Sequence, residues 1–270
     1  LDFYHQNTFE FSIKDAQREH YLVEYQYRIL PCAMPEDDWE LYKTFSREIL
    51  QLQHTLEQEG NEKAQLRLRQ RIEGRYRDRA KLLKKNDQKA QTLQTIFDEI
   101  PPTARVLIYG DDLHHLDEIG QELDHMGKYY FKYTGELDAQ KERPTILKEF
   151  RQGIRKTLLA VGCLDEGIDI PACDVAVFIS SSTSERQFIQ RRGRVLRVAP
   201  GKTSAWIYDY LLYPILSART NDDERRLALS MIDAQYRRIN LMVEDAINGI
   251  QERQKLDQFL SQRRLNPYDF

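Results

Sequence analysis

Residues 105–133 read RVLIYGDDLHHLDEIGQELDHMGKYYFKY. A short apolar run, Arg105–Tyr109, gives way to apolar residues at helical spacing over Leu113–Met126, and then to an aromatic run, Tyr129–Tyr133. Strand, helix and strand in that succession form one βαβ unit. The rhythm continues downstream. Thr157–Val161, Val175–Ser180 and Ala205–Tyr210 read as strands, and Asp138–Gln152 and Ser184–Arg197 as helices. Right-handed crossovers of this kind predict an α/β fold with a mostly parallel sheet flanked by helices. Asp138 and Ser184 are candidate N-caps, Pro144 belongs in a first turn or at a kink, and Pro200-Gly201 reads as a turn.

Upstream lie two proline-free stretches of opposite charge. Between Pro35 and Gly60 the acids Glu36, Asp37, Asp38, Glu40, Glu48, Glu57 and Glu59 dominate. Between Lys63 and Lys89 Arg and Lys dominate. Gly60-Asn61 separates them, so the expectation is a helical hairpin with an acidic and a basic arm. Either the arms satisfy each other as solvated faces, or the basic arm meets a polyanion backbone. Residues 221–264 read as one or two C-terminal helices, with Leu227, Met231, Ile232, Ile239, Met242, Ile247 and Ile250 facing the body. The head holds a short helix capped by Ser12 and a strand-like Tyr25–Leu30 that reads as belonging to something upstream. The expected units are 1–34, a link; 35–100, the hairpin; 101–215, the α/β body; and 216–270, the helical extension.

The chain has 270 residues, 41% of them hydrophobic and 31% charged, and a net charge of −3, enough apolar material for a core. No apolar run reaches the roughly 18 residues of a membrane span, and no secretory leader is visible, so the expected location is cytoplasmic. Cys32, Cys163 and Cys173 are too few and too scattered for a disulfide framework or a zinc site, and read as buried thiols in a reducing compartment. The chain opens on Leu1 rather than Met, which favours a fragment or processed product.

Two windows carry chemistry. In Leu158-Leu-Ala-Val-Gly-Cys-Leu-Asp-Glu-Gly-Ile-Asp-Ile-Pro171 a buried strand runs into a loop with Gly167 and Asp169. Ligands gather at the carboxyl ends of parallel strands, where an Asp can bond a ribose hydroxyl and a glycine lets backbone approach phosphate. In Gln187-Phe-Ile-Gln-Arg-Arg-Gly-Arg-Val-Leu-Arg197 four arginines, Arg191, Arg192, Arg194 and Arg197, crowd two helical turns, with Arg194 and Arg197 expected on one face. Like charges that close make sense where a polyanion arrives, because guanidinium binds phosphate bidentately.

Together these windows resemble the second RecA-like domain of superfamily 2 helicases. Gln190-Arg-Arg-Gly-Arg-Val-Leu-Arg197 is similar to motif VI, Q-R-x-G-R-x-x-R. Cys163–Pro171 is similar to motif V in the form found in restriction-type DNA motors and their relatives, with Val161 where many of them place Thr. Val106–Gly110 looks like motif IV, and Tyr133-Thr-Gly135 with Arg143 and Phe150 like motif IVa. The resemblance implies the C-terminal half of an ATP-dependent DNA helicase or translocase acting in restriction or repair. Arg194 and Arg197 would be arginine fingers on the γ-phosphate, with Gln190 sensing that phosphate or the attacking water. Asp169 would meet the ribose and Gly167 would couple that contact to the track, while Arg191 would organise the nucleotide loop. Thr134 and Gly135, at the start of a helix, would offer a hydroxyl and N–H groups to a strand phosphate. Ser180 and Ser181 would do likewise or form a plain serine-rich turn. ATP with Mg2+ would be the nucleotide, held mainly by an N-terminal RecA-like domain missing from this chain, and DNA the other partner.

Several other patterns fail. Gly201-Lys202-Thr203 imitates the end of a P-loop, but Leu196 stands where its first glycine belongs. Asp165-Glu166 already lies within motif V, and Asp117-Glu118 sits mid-helix. His114 and His115 are adjacent on a helix and point apart, a poor ligand pair, so no metal site is expected. The aromatics Tyr129, Tyr130, Phe131 and Tyr133 read as packing more than as base-stacking platforms. The rival readings are a nucleic-acid-binding or protein-interaction module on the same scaffold, and an RNA motor.

Overall fold

The computed structural model describes residues 12–85, 87–138, 140–161, 172–180 and 185–266. The head gives helix α1 (Ile13–Arg18) and strand β1 (Glu24–Met34). The hairpin follows as α2 (Glu36–Gln58) and α3 (Glu62–Lys84), then the short α4 (Asp87–Gln91) and α5 (Leu93–Glu99). The alternating body is β2 (Val106–Tyr109), α6 (Leu113–His125), β3 (Phe131–Tyr133), α7 (Glu142–Arg151), β4 (Thr157–Ala160), β5 (Val175–Phe178), α8 (Glu185–Val195) and β6 (Ser204–Pro214). Helices α9 (Asp222–Val243) and α10 (Gly249–Gln262) close the chain.

All strand pairs are parallel, in the order β1-β6-β5-β2-β4-β3. Strands β2, β4 and β5 are buried at every residue, as unbroken apolar runs in a two-sided parallel sheet must be. Because every strand runs the same way, the ends of β3, β4, β2 and β5 share one rim. Serine caps α1 and Asn221 caps α9, Ser12 accepting from the Asp15 amide and Asn221 from the Glu224 amide. Pro144 falls in the first turn of α7, where its missing N–H costs nothing. Gly201 turns the chain with φ of 78° before β6.

Three expectations need correction. The head strand is not separate from the body: it pairs with β6 from Glu24↔Ser204 to Met34↔Pro214 as an edge strand of the same sheet. Its outer edge is sealed by the α9–α10 corner, where Asn248 exchanges two hydrogen bonds with the Tyr27 backbone and the Ile29 N–H donates to Glu252. Asp138 does not cap α7; its carboxylate takes the amides of Gln140 and Lys141, capping a turn that delays the helix to Glu142. Ile247 and Ile250 are exposed, because the tail breaks into two helices between Val243 and Gly249. The hairpin arms do form α2 and α3, but among the described residues their inter-arm ion pair is Arg75–Glu48, at 2.5 Å. Cys32 and Cys173 are buried; Cys163, like Ser184, lies outside the described residues. No described helix is long and apolar enough to cross a membrane.

Candidate nucleotide and nucleic-acid interface

Helix α8 organises the arginine-rich window. Phe188 is buried and packs on Phe178 of β5, ring centroids 4.9 Å apart. Three and four residues on, Arg191 and Arg192 face the same way and are also buried. Arg191 Nη1 donates to the Ser180 carbonyl at 3.4 Å and its guanidinium lies over the Tyr109 ring. It thereby ties α8 to the ends of β5 and β2. Arg192 Nη1 donates to the Leu241 carbonyl at 2.7 Å and pairs with Asp245 at 3.2 Å, tying α8 to α9. Val195 and Leu196 complete the inward face.

The window is thus not four equivalent cations. Arg191, expected to organise the nucleotide loop, is buried against the Ser180 carbonyl and the Tyr109 ring. Gln190 and Arg197 are exposed and Arg194 is half-buried. Arg194 and Arg197 do not share a helix face, because α8 ends at Val195 and Arg197 bridges to Leu22 ahead of β1. The Val23 N–H donates to the Leu196 carbonyl at 2.7 Å, which pulls the chain out of helical register there.

At the shared rim, Thr134 follows β3 and Ser180 follows β5, three strand spacings or about 14 Å apart. Thr134 and Gly135 do not begin a helix: α7 starts only at Glu142, and Arg143 Nη2 reaches back to the Gly135 carbonyl at 2.8 Å. Thr134 is buried and Gly135 exposed. The Ser180 N–H donates to the Tyr109 carbonyl at 3.0 Å, continuing the β5–β2 pairing. Gly167, Asp169 and Ser181 lie outside the described residues.

The rim carries polar groups that the motifs do not signal. Lys89 is 3% exposed, and its Nζ donates to the carbonyls of Leu83, at 2.5 Å, and Ile179, at 3.0 Å. Burial, and then the charge of Arg238, lower its pKa to about 8. Arg238 of α9 grips Asp209 of β6, which also accepts from the Tyr27 hydroxyl at 2.8 Å. Lys84 pairs with Asp111 at 2.8 Å and Lys85 with Asp112, so the base of α3 is fastened just past β2. The spacing of Lys89 in a basic run gives no sign of its burial. Among the described residues no cluster of His, Cys, Asp or Glu could hold a metal ion.

A parallel sheet whose strand ends form a polar rim, backed by an arginine-rich helix, defines a RecA-like α/β domain. The helicase conserved C-terminal domain model matches residues 88–199. Over that stretch, which is less than half of its length, the chain is similar to this domain. Dicer-like protein 2-1 of Aspergillus niger is 36% identical over 100 residues, 34% of this chain and 7% of its own length. DNA 3'-5' translocase XPB2 of Sulfurisphaera tokodaii is 41% identical over 56 residues, 21% of this chain and 13% of its own. The chain therefore spans a small part of these relatives. In fold it is similar to the C-terminal part of the Fun30 ATPase domain, with a TM-score of 0.54 and 11% identity, covering 80% of this chain and 99% of that one.

Proposed function

We propose that this chain is the second lobe of an ATP-driven DNA helicase or translocase, with Arg194 and Arg197 as its arginine fingers. The observation that carries the reading is the division of labour along α8 and the turn that follows it. Arg191 and Arg192 are buried and anchor the helix from inside, while Gln190 and Arg197 are exposed and Arg194 is half-buried. A finger must be held on a rigid element and still meet charge that develops as the phosphoryl group transfers.

ATP is the substrate in this reading, held by a partner lobe that supplies the P-loop. Mg2+ is assigned to that lobe too, together with the P-loop. Asp169 would bond the ribose and Gly167 would relay that contact. The Gly135 amide and Ser181 would meet strand phosphates at the rim, with the buried Ser180 holding the end of β5 in place. The residues ahead of β1 would lead in from the partner lobe, the hairpin and the C-terminal helices would flank the sheet, and closure on ATP would shift the grip on the strand.

The test uses a protein with both lobes. Arg194→Ala and Arg197→Ala should each lower DNA-stimulated ATP hydrolysis by about 10³-fold or more, with nucleotide affinity and melting temperature retained. Hydrolysis within a few-fold of wild type would sink the finger assignment and favour a binding or interaction module. Robust DNA-stimulated hydrolysis by the 270-residue chain alone would contradict the two-lobe reading. Running the assay with RNA alongside DNA identifies the track.

A further inference from the structure

Apart from Arg69, which is exposed on another face of the helix, the basic residues of α3 and its C-cap fall into two groups. Arg75 pairs with Glu48 and Asp78, Arg79 lies over the rings of Tyr42 and Tyr76, and Lys84 and Lys85 fasten the helix to Asp111 and Asp112. These hold the hairpin together and to the body. Lys63, Arg67, Arg71, Arg77 and Lys81 do neither: all are exposed, and among the described residues none has an ion pair. At 100° per residue these five fall within one face about 120° wide, opposite the buried Ile72. From Lys63 to Lys81 the row runs about 27 Å along the helix at 1.5 Å per residue.

For folding alone this row is unfavourable. Lys63–Arg67, Arg67–Arg71 and Arg77–Lys81 are like-charge pairs four residues apart, each destabilising by a few tenths of a kcal/mol. Lys63 also stands in the first helical turn, where the macrodipole disfavours a cation. At the centre of the face lies Gly74, and a Cβ there would meet nothing within 4 Å. No packing requires a glycine at that position, and a mid-helix glycine costs about 0.5–1 kcal/mol relative to alanine. It leaves bare backbone in the middle of a cationic stripe.

We infer that this face of α3 is a track for the phosphodiester backbone of duplex nucleic acid, continuing the strand-end rim outward along the hairpin. The continuity is structural: Lys81 is one turn from Lys84, whose partner Asp111 follows β2 on that rim. A rigid row of cations along one helix face suits a rigid polyanion. A protein partner fits less well, because Gln70, Gly74 and the already paired Asp78 fill the gaps between cations, and the exposed Leu66 stands only at the margin of the face. The inference rests on the nucleic-acid reading above for its ligand, but not on ATP or on the fingers.

The test is equilibrium binding of the full chain to a 30-base-pair DNA duplex, the matching RNA duplex and polyglutamate, across a salt series. The variant is Arg67→Gln, Arg71→Gln, Arg77→Gln and Lys81→Gln combined. Four lost phosphate contacts should flatten the slope of log affinity against log salt by about 3–4 and weaken duplex binding at low salt by at least about 100-fold. Melting should stay unchanged or rise, since repulsion is removed. Gly74→Glu should weaken duplex binding several-fold, and Gly74→Ala should keep it while raising the melting temperature. If the fourfold variant binds both duplexes like wild type, the track is wrong although the rim reading stands. If wild type binds neither duplex, both fall. If the cations matter only for polyglutamate, the stripe is a protein-docking surface and the inference is overturned. The relative affinities of the two duplexes identify the natural track.

Discussion

His115 sits in the first turn of α6, buried, with its Nδ1 accepting the Asp111 backbone N–H at 3.2 Å. That bond requires an unprotonated Nδ1. Burial, reinforced by the charge of Lys89, lowers the ring's pKa from 6.5 to about 4. Between those values the unfolded chain binds a proton that the folded chain refuses. Stability is therefore full above pH 6.5 and falls as pH drops toward 4, by about 3 kcal/mol from this group. His115→Gln removes the titration, so urea unfolding of wild type should lose about 3 kcal/mol more than the variant between pH 7 and pH 4. Parallel pH profiles would show that the ring does not titrate as this packing dictates. The arginine window teaches a related lesson at the same scale. Composition marked it as a polyanion site, yet Arg191 and Arg192 are committed to internal carbonyls and a carboxylate. Which of four neighbouring guanidinium groups points inward depends on what α9 and β5 bring against α8, and spacing within the window carries no trace of that.

Among the elements, the α9–α10 corner is under the tightest steric constraint. A Cβ on Gly249 would stand 1.7 Å from the Val243 carbonyl oxygen, a backbone atom that cannot move alone. Gly249→Ala must push α10 away from α9 and loosen the Asn248 and Glu252 bonds that seal β1. Overpacking of this kind predicts a loss of about 2–4 kcal/mol in urea unfolding, whereas an unchanged midpoint would mean the corner can relax. The strands and crossover helices of the body were legible in the sequence, because buried parallel strands are unbroken apolar runs and the helices keep a 3.6-residue period. The corner was not. Ile247 and Ile250 continue the apolar spacing of α9, and only the turn between Val243 and Gly249 takes them out to solvent. The motif IVa turn misled in the same way: Asp138 has the chemistry of an N-cap, but its carboxylate is spent on the Gln140 and Lys141 amides.

Considered whole, the molecule does not end where the family model ends. Residues 88–199 contain β2 to β5 and α8, but β5 pairs with β6, and β6 with β1. Strand β6 outruns β5, and past Asp209 the side-chain amide of Gln235 takes the place of the missing strand, exchanging two 2.9 Å bonds with the Leu212 backbone. Arg192 needs Leu241 and Asp245, and Lys89 lies against the Tyr210 ring. Long-range pairing of the first strand with the last is invisible to local periodicity, which is why the head reads as separate in sequence. A fragment of residues 88–199 would leave the buried edge of β5 open and Arg192 in apolar surroundings without its acceptors. Such an edge is a template for pairing with other chains, and an unpartnered buried cation is costly by several kcal/mol. The fragment should therefore aggregate or melt without a cooperative transition, while residues 12–266 unfold in one step by circular dichroism and run as a compact species on size exclusion. A fragment that folds cooperatively and stays monomeric would show that β1, β6 and the C-terminal helices are appendages to the domain. The pairing of β1 with β6 and the internal partners of Arg192 argue that they are part of its core.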